Sequence, residues 1–176
     1  FLIDRLGLAS AAPARAIIAR YYPEDRIPPR AVYLLDDIFR KAQALSAEDI
    51  LCYVNADILL LEDFPRAVEA VSLLRAPFLA AGQRWDLDVL DPISFGPEWE
   101  KDLRGGVSRE GSLRSRFCID YFVFRRGLWE RIPPFAVGRT LWDNWLLYAA
   151  RRRGAPLVDL TSAVTAVHQN HDYSHV

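Results

Sequence analysis

Apolar residues recur at Ala31, Leu34, Leu35, Ile38, Phe39, Ala42 and Leu45, with Asp36, Asp37, Arg40 and Lys41 set between them. That spacing predicts an amphipathic helix over 31–45. Ile50-Leu51-Cys52-Tyr53-Val54 then runs without a polar break. A short, partly β-branched run of this kind suits a strand covered on both faces, which points to a parallel central strand. Asp63 and Pro65 signal a helix start, and Phe64, Ala67, Val68, Val71 and Leu74 supply its apolar side, before 77–81 returns as a strand. The alternation predicts an α/β domain with a mostly parallel central sheet flanked by helices. From 83 to 116 the period breaks down among Trp85, Asp86, Asp88, Asp91, Pro92, Gly96, Gly105, Gly106 and Gly111. The expectation there is a long functional loop with room for one short helix. Strands are predicted over 117–124, 156–160 and 163–167, and a helix over 140–153 stopped by Gly154. No internal repeat or low-complexity segment interrupts the pattern.

Composition narrows the classes. With 176 residues, 51% of them apolar, the chain suits a single domain over 1–176. A formal charge of -1 supplies no global field for nucleic acid or an anionic membrane, so an anionic ligand has to be held locally. Apolar runs such as 58–61 are far shorter than the roughly 20 residues of a transmembrane span, and no signal-peptide pattern opens the chain. A soluble domain is expected, with the cytoplasm favoured over secretion. Cys52 and Cys118 lie apart in apolar runs without metal-knuckle spacing, and the expectation is two buried free thiols. The chain contains no methionine and starts on Phe1-Leu2-Ile3. An N-terminally incomplete fragment is expected.

Candidate chemistry concentrates in a few places. Asn55 and Asp57 fall just past the strand run, where an open α/β sheet binds ligands. A carboxylate there can hold a divalent cation and a carboxamide can bond a ribose or sugar hydroxyl, while the purely structural alternative is a capped turn. All three histidines, His168, His171 and His175, fall within the last nine residues. One of the first two is a candidate metal ligand and His175 a phosphate or substrate donor, against the alternative of a surface cluster. Asp120 interrupts a strand-like run and needs a partner or a ligand. Asp143 opens a helix beside Trp142 and Trp145, where burial can raise its pKa and aromatic faces can stack on a sugar, or where it simply favours the helix dipole. Arg139, after Gly138, is placed to reach a phosphate or to form an ion pair. Arg84, Trp85, Asp86 and Asp88 open the irregular stretch and are candidates to shape an acceptor site.

The order of these residues resembles GT-A fold glycosyltransferases. "AEDILCYVNADILLLEDF" is similar to the segment carrying their DXD-type motif, with Asn55-Ala56-Asp57 in its place. "GRTLWDNWLLYAARRRG" is similar to the helix that begins with their Glu-Asp pair, with Trp142 replacing the Glu and Asp143 in the position of the base. "CIDYFVFRRGLWERIPPFAVGRTLWDNWLL" and "VDLTSAVTAVHQNHDYSH" also look like a subgroup of glycosyltransferase-like proteins. The resemblance implies a Rossmann-like, mostly parallel sheet, here lacking its first strand and loop. It further implies a Mn²⁺ or Mg²⁺ ion on Asp57 with His168 or His171, a UDP- or GDP-sugar donor, and a glycan or other hydroxyl acceptor. Asn55, Asp57 and Arg139 would contact the donor and its ion, with Asp143 as base and Asp120 in the cleft. Two other classes stay open: a nucleotidyltransferase, although no Gly-rich basic loop is visible, and a noncatalytic carbohydrate- or nucleotide-binding domain using Trp85, Trp142 and Trp145 as stacking platforms.

Overall fold

The computed structural model describes residues 33–139 and 141–171. Two compact units divide the chain: a larger one of Ile50–Leu128 with Asp143–His175, and a smaller one that includes Trp129–Trp142 and residues up to Asp49. In the smaller unit the helical stripe forms α1 (Leu35–Leu45), which buries Leu35 and Phe39. Leu35 N donates to Phe135 O and Val137 N to Tyr33 O, at 2.8 and 2.9 Å, and Phe39 meets Trp129 edge to face at 5.6 Å. Position 31 of the predicted helix lies outside the described residues. Asp37 is bound to Arg40 and Lys41, while burial, joined by the negative charge of Asp37, pushes the Asp36 carboxyl above its ordinary pKa.

The larger unit carries the strands. Along the chain they are β1 (Ile50–Val54), β2 (Ile58–Leu60), β3 (Leu79–Ala81), β4 (Trp85–Leu87), β5 (Ser112–Leu113), β6 (Tyr121–Arg125), β7 (Leu157–Asp159) and β8 (Ala166–Gln169), with helices α2 (Asp63–Ser72), α3 (Trp99–Glu110) and α4 (Trp142–Arg152) among them. They form two four-stranded sheets, ordered β1-β6-β3-β7 and β2-β8-β4-β5. The expected mostly parallel central sheet is not present. Four of the six strand pairings are antiparallel, and only β3 with β7 and β4 with β8 run parallel. A continuous apolar run reports burial on both faces and says nothing of direction. The strand that reverses the sheet is β6, which arrives after the irregular stretch, inserts between β1 and β3, and is buried from Tyr121 to Phe124.

The stretch 83–116, expected as a loop, holds β4, β5 and the twelve-residue helix α3. Its glycines hide the helix, because Gly105 and Gly106 are poor helix formers and only Leu103 and Val107 are buried along it. A Cβ at Gly106 would come into ordinary van der Waals contact with Leu87, so this position of α3 faces β4. Gly154 ends α4 with φ +73°, a left-handed conformation suited to glycine. Cys52 and Cys118 are free thiols, but neither is deeply buried, contrary to expectation; Cys52 is exposed.

Two cores result. Ala67 and Val71 of α2 pack with Phe78, Ala80, Tyr121 and Val123, while Leu87, Leu103, Val107 and Val167 form a second cluster with Leu61. Strand alternation explains how β8 serves both: Ala166 faces one cluster and Val167 the other. Within the first cluster the Tyr121 hydroxyl is buried with no hydrogen-bond partner among the described residues, directly against the Cα of Gly82. A Cβ at position 82 would meet that hydroxyl and approach Thr161 N to 2.9 Å. Gly82→Ala is therefore expected to destabilise by about 1–3 kcal/mol. Tyr121→Phe should be close to neutral, since it removes an unpaired polar atom, and should relieve part of the Gly82→Ala cost in the double variant. Urea denaturation of the three variants checks this; strictly additive effects would show that the hydroxyl is not the obstacle.

Candidate metal centre

The turn between β1 and β2 sets the first ligand. Ile58 N donates to Asn55 O at 3.3 Å, so the chain leaves one sheet and enters the other within Asn55-Ala56-Asp57. Asp57 thus stands at the carboxyl end of β1 and immediately before β2. His168 lies inside β8 rather than after it, paired with Ile58 on one neighbouring strand and with Asp86 on the other. Alternation turns it to the face opposite Val167, beside Asp57, where it is only 1% exposed. His171 is brought back by its neighbour: Asn170 donates its backbone N–H to Leu87 O at 2.9 Å and its Nδ2 to Asp88 Oδ1 at 2.8 Å, pinning the chain after β8 to β4.

Asp57 converges with two histidines more than a hundred residues further along the chain. His168 Nε2 and His171 Nε2 each lie 3.4 Å from Asp57 Oδ2, and ligand atoms of all three residues fall within 4.8 Å of one another. Donors bound about 2.1 Å from a common ion sit roughly 3–4 Å apart, so the 3.4 Å contacts suit a shared cation. Asp57 Oδ1 is buried with no hydrogen-bond partner among the described residues, an orphaned acceptor that such an ion would satisfy. Asp57 and His171 are partly exposed, which leaves the centre open on one side. The donor set, two imidazoles and a carboxylate, fits a divalent first-row ion.

Behind the three ligands stands a second layer. Asp86, which follows Arg84 into β4, turns away from the Trp85 and Leu87 core face and puts Oδ1 3.3 Å from His168 Nδ1, near enough for charge contact but outside hydrogen-bond geometry. Arg84 Nε donates to the same Oδ1 at 2.9 Å and Arg114 Nε lies 3.3 Å from Oδ2. The other end of the Arg84 guanidinium donates to Asp120 Oδ2 at 2.6 Å, and Asn55 Nδ2 donates to Asp120 Oδ1 at 2.6 Å. Burial pulls the Arg84 pKa down, but Asp120 and Asp86 more than offset that and hold it above its ordinary value. Tyr53, at the end of β1, is pushed up as well, first by burial and then by the negative charges of Asp120 and Asp57, so its phenol stays neutral.

A cavity of about 430 Å³ opens beside Asp57. Its wall is mainly apolar, with Ile58, Val89, Leu90 and Phe95, and carries Asp91 and Gln169 but, among the described residues, no lysine or arginine.

The other candidate residues are placed separately. Asn55 and Asp120 spend their side chains on each other and on Arg84. Asp143 occupies the first turn of α4, where its Oδ1 accepts from Asn144 N at 2.8 Å. One turn on, Leu147 lines a smaller cavity of about 160 Å³ with Gln83, Arg116 and Ile119, and helical spacing puts Asp143 on the same face. Arg139 belongs to the smaller unit, in the turn after Ala136. Residue 175 lies outside the described residues. Trp85 packs on the second core cluster and Trp142 is 6% exposed, so both are largely engaged in packing.

No protein-family model, curated protein or solved structure matches this chain. The centre is read from its own geometry.

Asp120 and Arg84 are each about one-tenth exposed at the side chain. Asp120→Ala leaves a buried guanidinium short of a partner, and a loss of about 3–5 kcal/mol is expected. Equilibrium unfolding in urea measures it, and a change below 1 kcal/mol would show that the pair does not anchor this layer.

Proposed function

We propose that the chain is a metal-dependent glycosyltransferase domain that moves a sugar from a nucleotide-diphosphate donor to an acceptor hydroxyl. One observation carries the reading: Asp57, His168 and His171 meet at one point, in the turn whose sequence resembles a DXD-type motif. The adjoining cavity supports it, being of a size that ordinary small-molecule sites have.

Each residue has a definable task in that reaction. Asp57, His168 and His171 would hold the cation, which when bound supplies electrostatic stabilisation to the departing diphosphate. Two nitrogen donors favour Mn²⁺ over Mg²⁺. The cavity beside Asp57 accepts an uncharged moiety such as the sugar, because its carboxylates repel phosphate and no cationic side chain lines it among the described residues. Asp143, which lines neither cavity, keeps the role of base on the resemblance of its helix: it would take the proton of the acceptor hydroxyl while that oxygen forms its bond to the anomeric carbon and the bond to the diphosphate oxygen breaks.

A transfer assay paired with calorimetric donor titration on the full-length chain tests the assignment. Asp143→Asn should lose about 10²- to 10⁴-fold in turnover with donor binding retained. Asp57→Ala should lose turnover together with metal-dependent donor binding. Undiminished turnover in Asp143→Asn removes it as the base; metal-dependent donor binding without turnover, across a broad acceptor panel, would identify a noncatalytic binding domain instead. In thermal shift, Mn²⁺ should stabilise the chain more than Mg²⁺ at equal concentration, with about 2.7 kcal/mol expected at a hundred times the dissociation constant. Equal shifts would contradict the imidazole ligands.

A further inference from the structure

We infer that Asp86 is the positioning residue of this centre: it holds the His168 ring so that Nε2, and not Nδ1, is turned to Asp57 and His171. The inference rests on the metal-site reading above and concerns a residue outside the three ligands.

The imidazole of His168 has two nitrogens and a carboxylate at each. Nε2 lies 3.4 Å from Asp57 Oδ2 and Nδ1 lies 3.3 Å from Asp86 Oδ1. Nδ1 is buried and makes no hydrogen bond to any described group, so Asp86 is the acceptor nearest to hand for a proton there. A ring bound through Nε2 keeps its remaining proton on Nδ1, and a carboxylate facing that proton fixes both tautomer and orientation. The strand register makes the arrangement rigid, because Asp86 and His168 are direct partners in the parallel pairing of β4 with β8. Asp86 is itself fixed, by Arg84 on Oδ1 and by Arg114 on Oδ2, and it is 14% exposed at the side chain. Asp102, exposed in the first turn of α3, has no part in the centre and serves as a control.

The effect is read as metal affinity, not turnover. Mn²⁺ is titrated into the full-length chain, with free ion followed by electron paramagnetic resonance, for the unmodified protein and for Asp86→Ala, Asp86→Asn, Asp102→Asn and Asp57→Ala. Asp86→Ala is expected to weaken Mn²⁺ binding about 10- to 100-fold. Asp86→Asn, which keeps one acceptor oxygen, should fall between it and the unmodified protein, and Asp102→Asn should bind as the unmodified protein does. Circular dichroism without metal reports folding; if the alanine variant does not fold, Asp86→Asn carries the test.

A second readout separates positioning from mere structural support. In the Co²⁺-loaded protein the Nδ1 proton of His168 should give a paramagnetically shifted resonance that exchanges slowly with water, and faster exchange is expected in the Asp86 variants. Binding lost in Asp57→Ala but unchanged in both folded Asp86 variants would overturn this inference and leave the metal centre standing. Absence of Mn²⁺ and Co²⁺ binding in the unmodified protein would overturn the metal centre itself, and the inference with it.

Discussion

Arg84 is the residue on which the site's geometry depends. Its guanidinium lies between Asp86, in the sheet that carries His168, and Asp120, which immediately precedes β6 of the other sheet. Asn55 closes the far end by donating to Asp120 through both its side chain and its backbone N–H. A buried cation of this kind is costly to desolvate, and two carboxylates with hydrogen-bond geometry are what make it tolerable. The consequence is positional. Asn55 leads directly into Asp57, and Asp86 faces His168, so one guanidinium fixes both the turn that offers the carboxylate and the strand neighbour that backs the imidazole.

The sequence pattern makes the parts legible and the assembly much less so. Amphipathic α1 and α2, the apolar β1 and the helix before Gly154 all follow from periodicity, because a stripe or a run records which faces are buried. Direction leaves no such mark. The run that becomes β6 looks the same whether it lies parallel or antiparallel to β1, and the expectation of a parallel sheet fails there. The irregular stretch misleads for another reason. In α3 the two glycines break the apolar stripe and lower helix propensity, and Trp85-Asp86-Leu87 is too short an alternation to stand out as a strand.

For the site, chemistry is visible and partnership is not. Asp57, His168 and His171 are recognisable as potential ligands from residue type and order, but their meeting depends on β2 and β8 lying side by side, a contact across more than a hundred residues of chain. Asp86 was visible only as one carboxylate in a charged stretch. The signal that distinguishes it is the charged residue between two apolar ones, Trp85 and Leu87, preceded by an arginine: an inward carboxylate with its counter-ion supplied next door. Asn55 illustrates the reverse. Its place in the motif suggested ligand contact, whereas in the fold its amide is engaged by Asp120.

That substitution bears on electrostatics. In the second layer, the charges of Asp86 and Asp120 are balanced by Arg84 and Arg114, so it contributes little net field. The first layer then has one carboxylate, Asp57, and two imidazoles. With a divalent ion and neutral histidines, the loaded centre would carry a net charge of about +1, where two carboxylates would have cancelled the ion entirely. Among the described residues no arginine or lysine lines the adjoining cavity. On the proposed metal site, an anionic group would be drawn to that charge at the open side of the centre and not into the cavity, whose Asp91 would oppose it.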